Sequence, residues 1–123
     1  MKLRIACLQM NAGADFERNL KRSFKLAHMA SERKANLIVY PEMFLYRGSP
    51  SRYADIAKKT EQSIHKFQHM ACMSHIAILL GSILERSRKQ GRYYNTSLFI
   101  DEHGRILSAY RKIHLFDVTT PQK

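Results

Sequence analysis

Ala35-Asn36-Leu37-Ile38-Val39-Tyr40-Pro41-Glu42 is the stretch on which the fold turns. Leu37 to Tyr40 is a continuous apolar run, too short for a helix and of the length of a buried strand. Pro41 stops it, because proline has no N–H to donate to a sheet ladder. Glu42 therefore stands just beyond the carboxyl end of a buried strand, where catalytic and ligand-binding groups of parallel sheets gather. A single glutamate at a strand end is more often an ordinary loop residue, so its meaning depends on its neighbours.

Upstream, Leu3 to Met10 is a second short apolar run of strand type, ended by Asn11-Ala12-Gly13. Asp15 follows as a helix N-cap. From Phe16 the apolar period becomes helical, with Phe16, Leu20, Phe24 and Ala27 on one face and Arg18, Lys21, Arg22 and Lys25 on the other. This helix is expected to run to about Arg33. Downstream, Tyr46 to Ser51 reads as loop, and a helix from about Arg52 to Ser74 presents Tyr53, Ile56, Ile64, Phe67 and Ala71 at helical spacing. Ile76 to Leu84 is a third apolar strand, and Glu85 to Arg92 a charged connection. Tyr93 to Ile100 and Ile106 to Ile113 then flank Asp101-Glu102-His103-Gly104, a hairpin with glycine at its tight position. The order β-α-β-α-β-β-β is that of an α/β fold in which helix-separated strands pair in parallel under a helical layer.

The 123 residues suit one domain, and 45% hydrophobic with 25% charged residues is a globular composition. The apolar run at the amino terminus breaks at Gln9, too early for a signal peptide, and Ile76 to Leu80 is too short to span a bilayer. A cytoplasmic protein is expected, with Cys7 and Cys72 reduced and packed in the core. The net charge of +11 favours anionic partners. Its carriers are scattered, and no RNA-binding aromatic motif, metal-knuckle spacing or helix-turn-helix accompanies them. They read as solvated helix faces and loops.

A second chemical feature is Tyr110-Arg111-Lys112-Ile113-His114-Leu115-Phe116-Asp117. A basic residue at the end of this strand could sit beside Glu42 and stabilise developing negative charge. His114 has neither a triad partner nor metal-ligand spacing and reads as structural.

In order along the chain, Arg4-Ile5-Ala6-Cys7-Leu8-Gln9-Met10, Asn19, the stretch ending in Pro41-Glu42, Leu80-Gly81-Ser82-Ile83-Leu84-Glu85, Tyr94-Asn95-Thr96-Ser97-Leu98, Gly104 and the Tyr110–Asp117 segment resemble the amino-terminal half of carbon–nitrogen hydrolases of the nitrilase superfamily. The motif style is closest to omega-amidase-like amidases. The resemblance implies half of a four-layer α-β-β-α sandwich, with no metal or cofactor. It implies Glu42 as general base and Lys112 as oxyanion stabiliser, with a cysteine nucleophile attacking a small amide or nitrile to release an acid and ammonia. The family's cysteine, and a second glutamate, follow the lysine, and the sequence stops at Lys123 before either. Residues 1–123 are thus expected to form a partial hydrolase domain truncated before its nucleophile and inactive alone. Its expected partners are further copies of itself or a complementary carboxyl-terminal half, and neither a membrane nor nucleic acid. A non-catalytic assembly protein on the same fold is the alternative, and a basic nucleic-acid binder the third reading. Lys34 stands where the family often has glycine, which makes the turn there unusual.

Overall fold

β1 (Ile5–Cys7), α1 (Phe16–Glu32), β2 (Leu37–Val39), a 3₁₀ turn (Pro50–Arg52), α2 (Tyr53–Ser74), β3 (Ala77–Arg86), β4 (Tyr93–Ile100) and β5 (Ile106–Arg111) follow one another along the chain. The structure is a computed structural model and describes residues 1–115. Phe116 and Asp117, the end of the motif quoted above, lie outside the described residues. The five strands form one sheet in sequential order. β1, β2 and β3 are parallel, while β4 and β5 are added antiparallel. This is the expected element order. The outer strands are shorter than the apolar runs that announced them: β1 keeps three residues, and β5 ends at Arg111 rather than Ile113. Ladder bonds still continue one residue further, Leu8 N–H to the Val39 oxygen and Lys112 N–H to the Asn95 oxygen. The loop expected at Tyr46 to Ser51 closes in the 3₁₀ turn, begun by Pro50 under a Ser49 cap.

Alternation along the strands divides the two faces. Ile38, Ile78, Leu80, Leu98 and Ile100 are buried, whereas Leu37, Val39, Leu79 and Phe99 are half-buried. α1 and α2 supply the buried side with Phe16, Leu20, Ala27, Ile56, Phe67 and Ala71. At its centre Phe24 of α1 stacks on Phe67 of α2 with centroids 4.6 Å apart, and Tyr40 stacks on Phe44 at 4.4 Å. Phe67 meets both Tyr40 and Phe44 edge-on. The Tyr40 hydroxyl donates to the Ser23 oxygen of α1 at 2.8 Å, and burial pushes its pKa up, so it stays a neutral donor.

The cysteines correct the sequence reading, since both are exposed. Cys7 lies on the sheet face opposite the helices. Cys72 is one residue past Ala71, about 100° round the helix from the buried stripe. Asp15 caps α1 as expected, its carboxylate accepting from Arg18 N–H at 3.0 Å. The Asp101–Gly104 hairpin also forms: the Asp101 carboxylate accepts from His103 and Arg105 N–H groups, and Gly104 has φ +80°.

Both helices end in the same way. After α1, Lys34 and Ala35 N–H groups donate to the Ser31 and Ala30 oxygens; after α2, His75 and Ile76 donate to Cys72 and Ala71. These are Schellman pairs, with Lys34 (φ 60°) and His75 (φ 52°) in the left-handed position that favours glycine. A side chain there costs about 1–2 kcal/mol, of which glycine's looser unfolded chain returns part. Lys34→Gly and His75→Gly are each expected to raise unfolding stability by about 0.5–1 kcal/mol in urea denaturation. Lower stability in both would show that these caps carry no strain.

Candidate active site

The carboxyl end of β2 is where the chain must leave the sheet, and β3 provides the seat. β3 carries a register shift between Leu80 and Ile83, so Gly81 and Ser82 sit in a bulge. A β-carbon on Gly81 would fall 1.7 Å from the Tyr40 oxygen, which makes glycine obligatory at this approach. Ser82 holds the departing turn twice: its N–H donates to the Pro41 oxygen at 3.3 Å, and its hydroxyl accepts from Met43 N–H at 2.9 Å. Met43 takes φ 50° to make the reversal. Arg47, whose own N–H is tied to the Gly13 oxygen, donates from Nη2 to the Glu42 backbone oxygen at 2.9 Å. Glu42 is thereby projected from a turn whose two flanking aromatics, Tyr40 and Phe44, are fully buried.

Two donors from the antiparallel end of the sheet reach Glu42. Lys112 Nζ lies 2.7 Å from Oε1, and Asn95 Nδ2 lies 2.8 Å from the same oxygen. Among the described residues, Oε2 accepts no bond. Asn95 is thus tied to both charged partners, because its backbone oxygen also accepts Lys112 N–H at 2.8 Å. The Lys112 hydrogen bond, then that from Asn95, hold the Glu42 carboxyl below its ordinary pKa, against a smaller desolvation effect. The carboxylate is ionised at neutral pH and faces an ammonium that could neutralise an oxyanion. Its side chain is 49% exposed and that of Lys112 38%.

The pair opens onto a cleft of about 530 Å³. Tyr46, Tyr53 and Tyr93 line it in an edge-to-face chain with centroids 6.2 and 5.6 Å apart. With Met43 and Leu84 they form most of its apolar part, while Glu42, Arg47, Asn95 and Lys112 make the facing part of its lining polar. Neither Cys7 nor Cys72 is among its lining residues. His114 is exposed and does not line the cleft. Among the described residues, no group of three or more His, Cys, Asp or Glu side chains is placed to hold a metal ion, and no helix is long and apolar enough to cross a membrane.

Residues 4–123 match the carbon–nitrogen hydrolase family. The chain belongs to that family. The omega-amidase of Mus musculus is 33% identical over 121 residues, covering 98% of this chain and 43% of the enzyme. The crystal structure of the Caenorhabditis elegans NitFhit protein superposes with a TM-score of 0.88 at 28% identity, over 98% of this chain and 31% of that one. A glutamate-to-glutamine mutant of an amidase from Nesterenkonia sp. AN1, with acrylamide added at its active-site cysteine, gives 0.81 at 28% identity over 95% and 46%. The chain therefore spans less than half the length of these relatives. Its sheet with helices on one face is half of the nitrilase-like α-β-β-α sandwich.

Sequence reading singled out Glu42 and Lys112, and the structure brings them together across 70 residues. It assigned no role to Asn95, Gly81 or Ser82, although all three stand in stretches that carry the family resemblance. Their signals were composition against type: asparagine and glycine are both depleted in strands, and a hydroxyl in an apolar strand asks for a partner.

Gly81→Ala must move the Tyr40–Pro41 backbone and is expected to lose more than 3 kcal/mol in denaturant unfolding, the scale of severe core disruption. An unchanged midpoint would mean the two strands separate freely here. The depressed carboxyls of Glu42 and Glu85, the latter held mainly by Arg111, favour the folded state above about pH 4.3. That contribution fades as pH falls through their folded values. Lys112→Met should accordingly shrink the stability difference between pH 6 and pH 3, measured by urea midpoints.

Proposed function

We propose that this chain carries the general base and the oxyanion-stabilising cation of an amidase, and that the thiol nucleophile is supplied by polypeptide outside residues 1–123. The single observation that carries the reading is the 2.7 Å contact between Lys112 Nζ and Glu42 Oε1 at the floor of an aromatic cleft. Glu42 would take the thiol proton as the sulfur attacks the amide carbon, and Lys112 would meet the charge that develops on the carbonyl oxygen. The protonated Glu42 would then pass its proton to the leaving amine, and the ionised form would activate the water that hydrolyses the thioester. Asn95 would keep the carboxylate aimed while its proton comes and goes. The neighbouring omega-amidase and amidase support a small amide as substrate.

Neither cysteine of the chain lines the cleft, so the 123 residues alone are expected to release no ammonia from butyramide or other small amides. Joining residues 1–115 to the cysteine-bearing remainder of a related amidase should restore release. In that chimera Glu42→Gln should lower kcat by about 10²–10⁴ and Lys112→Met by about 10²–10³. Release by the 123 residues alone that disappears with Cys7→Ala or Cys72→Ala would overturn the proposal. So would a chimera whose activity ignores both substitutions.

A further inference from the structure

Arg111 and Lys112 are adjacent in sequence yet line different clefts. Lys112 faces Glu42, whereas Arg111 lies in a second cleft of about 500 Å³ lined by residues of α2, β3, β4 and β5. Arg111 is gripped there by groups from two other strands. Its Nε donates to Glu85 Oε2 at 3.0 Å and its Nη2 to Glu85 Oε1 at 2.5 Å. Its guanidinium lies 4.5 Å over the Tyr94 ring. Glu85 is fixed in turn by the Thr96 hydroxyl, which donates to Oε2 at 2.6 Å. The cluster thus joins Arg111 of β5, Tyr94 and Thr96 of β4, and Glu85 of β3.

β5 needs such a grip. It is an edge strand, paired only with β4, and every one of its residues is exposed. Its side chains therefore do little to hold its end. A two-bond fork between guanidinium and carboxylate fixes both distance and plane. Successive strand residues point to opposite sides, so a fixed Arg111 sets the direction in which Lys112 leaves the backbone. Lysine is a point charge on a flexible stem, and its reach to Glu42 depends on where that backbone is held.

We infer that the Arg111–Glu85 clamp is a positioning device for the Glu42–Lys112 pair, acting through the end of β5 and touching neither Glu42 nor substrate. It rests on the reading of Glu42 and Lys112 as a working pair, and it predicts more than a structural ion pair would. Breaking the clamp should loosen the Lys112 contact and change the Glu42 carboxyl while the fold persists.

The test is a carboxyl-carbon NMR titration of Glu42 in the 123-residue chain. Among the described residues, the charged side chains that bear on Glu42 are Lys112 and Arg47. Lys112→Met is the reference and should raise the Glu42 midpoint. Glu85→Gln discriminates by sign: removing a negative charge would by its field alone lower that midpoint, whereas losing the clamp raises it. Arg111→Lys keeps the charge, loses the fork and should raise it as well. Combining Arg111→Lys with Glu85→Gln should add little to either alone. A Glu42 midpoint that stays put or falls in both single variants, while Lys112→Met raises it, would overturn the inference and leave the site intact. If Lys112→Met itself moves nothing, the working pair is wrong and the clamp falls with it. Amide spectra report folding, and a variant that fails to fold leaves the other to decide.

Discussion

The stacking of Tyr40 on Phe44 under the edge of Phe67 is the contact on which the candidate site depends. The two stacked rings lie four residues apart in the chain, and between them stand only Pro41, Glu42 and Met43. Both rings are fully buried, and the Tyr40 hydroxyl is tied to α1. Neither end of the intervening turn can slide, so the turn's length determines which residue faces outward. Burial of two aromatic side chains thereby sets the height of a carboxylate above the sheet, and Phe67 and Phe24 connect that height to both helices.

β3 is the common rail of the arrangement. Its first half pairs in parallel with β2, and its bulge holds the turn that bears Glu42. Its last residues pair with β4 and bring Glu85 to Arg111. One ten-residue strand so relates the parallel half of the sheet, which supplies Glu42, to the antiparallel half, which leads to Lys112. Asn95 closes the same relation from above with one bond to each partner. The net charge of +11 plays little part here: among the described residues the lysines and arginines are spread over mostly exposed positions, and the few at the site are specifically paired.

Much of this was legible in the sequence because it rests on local patterns. The helical period from Phe16, the Asp15 cap, the stop at Pro41 and the Asp101–Gly104 hairpin are each decided by a few neighbouring residues, and each stands in the structure. What escaped the reading was set by distant partners. Strand ends were overrun because apolarity continues past the last paired residue, as at Ile113, which is 75% exposed. The cysteines looked like core residues by type, but one lies on the face away from the helices and the other off the helix stripe. Gly81, Ser82 and Asn95 stood in stretches that carried the family resemblance but suggested no role by themselves; their roles exist only once β2, β3, β4 and the chain after β5 are side by side. Lys34 and His75 show the reverse, since backbone geometry prevailed over residue preference at both helix ends.

The span between Glu42 and Lys112 also bears on how the molecule forms. α1, the α2 ends and the Asp101 hairpin involve contacts between near neighbours and can arise early. The ammonium–carboxylate contact closes a loop of some seventy residues and must wait for four strands to be ordered in register, with the edge strand last. Loop closure on that scale is repaid only by the strands it orders, so the two charges come together after β2 to β5 are in register rather than as their guide. A chain in which they have met has already ordered β2 to β5, and until then no partly folded form brings the two side chains together.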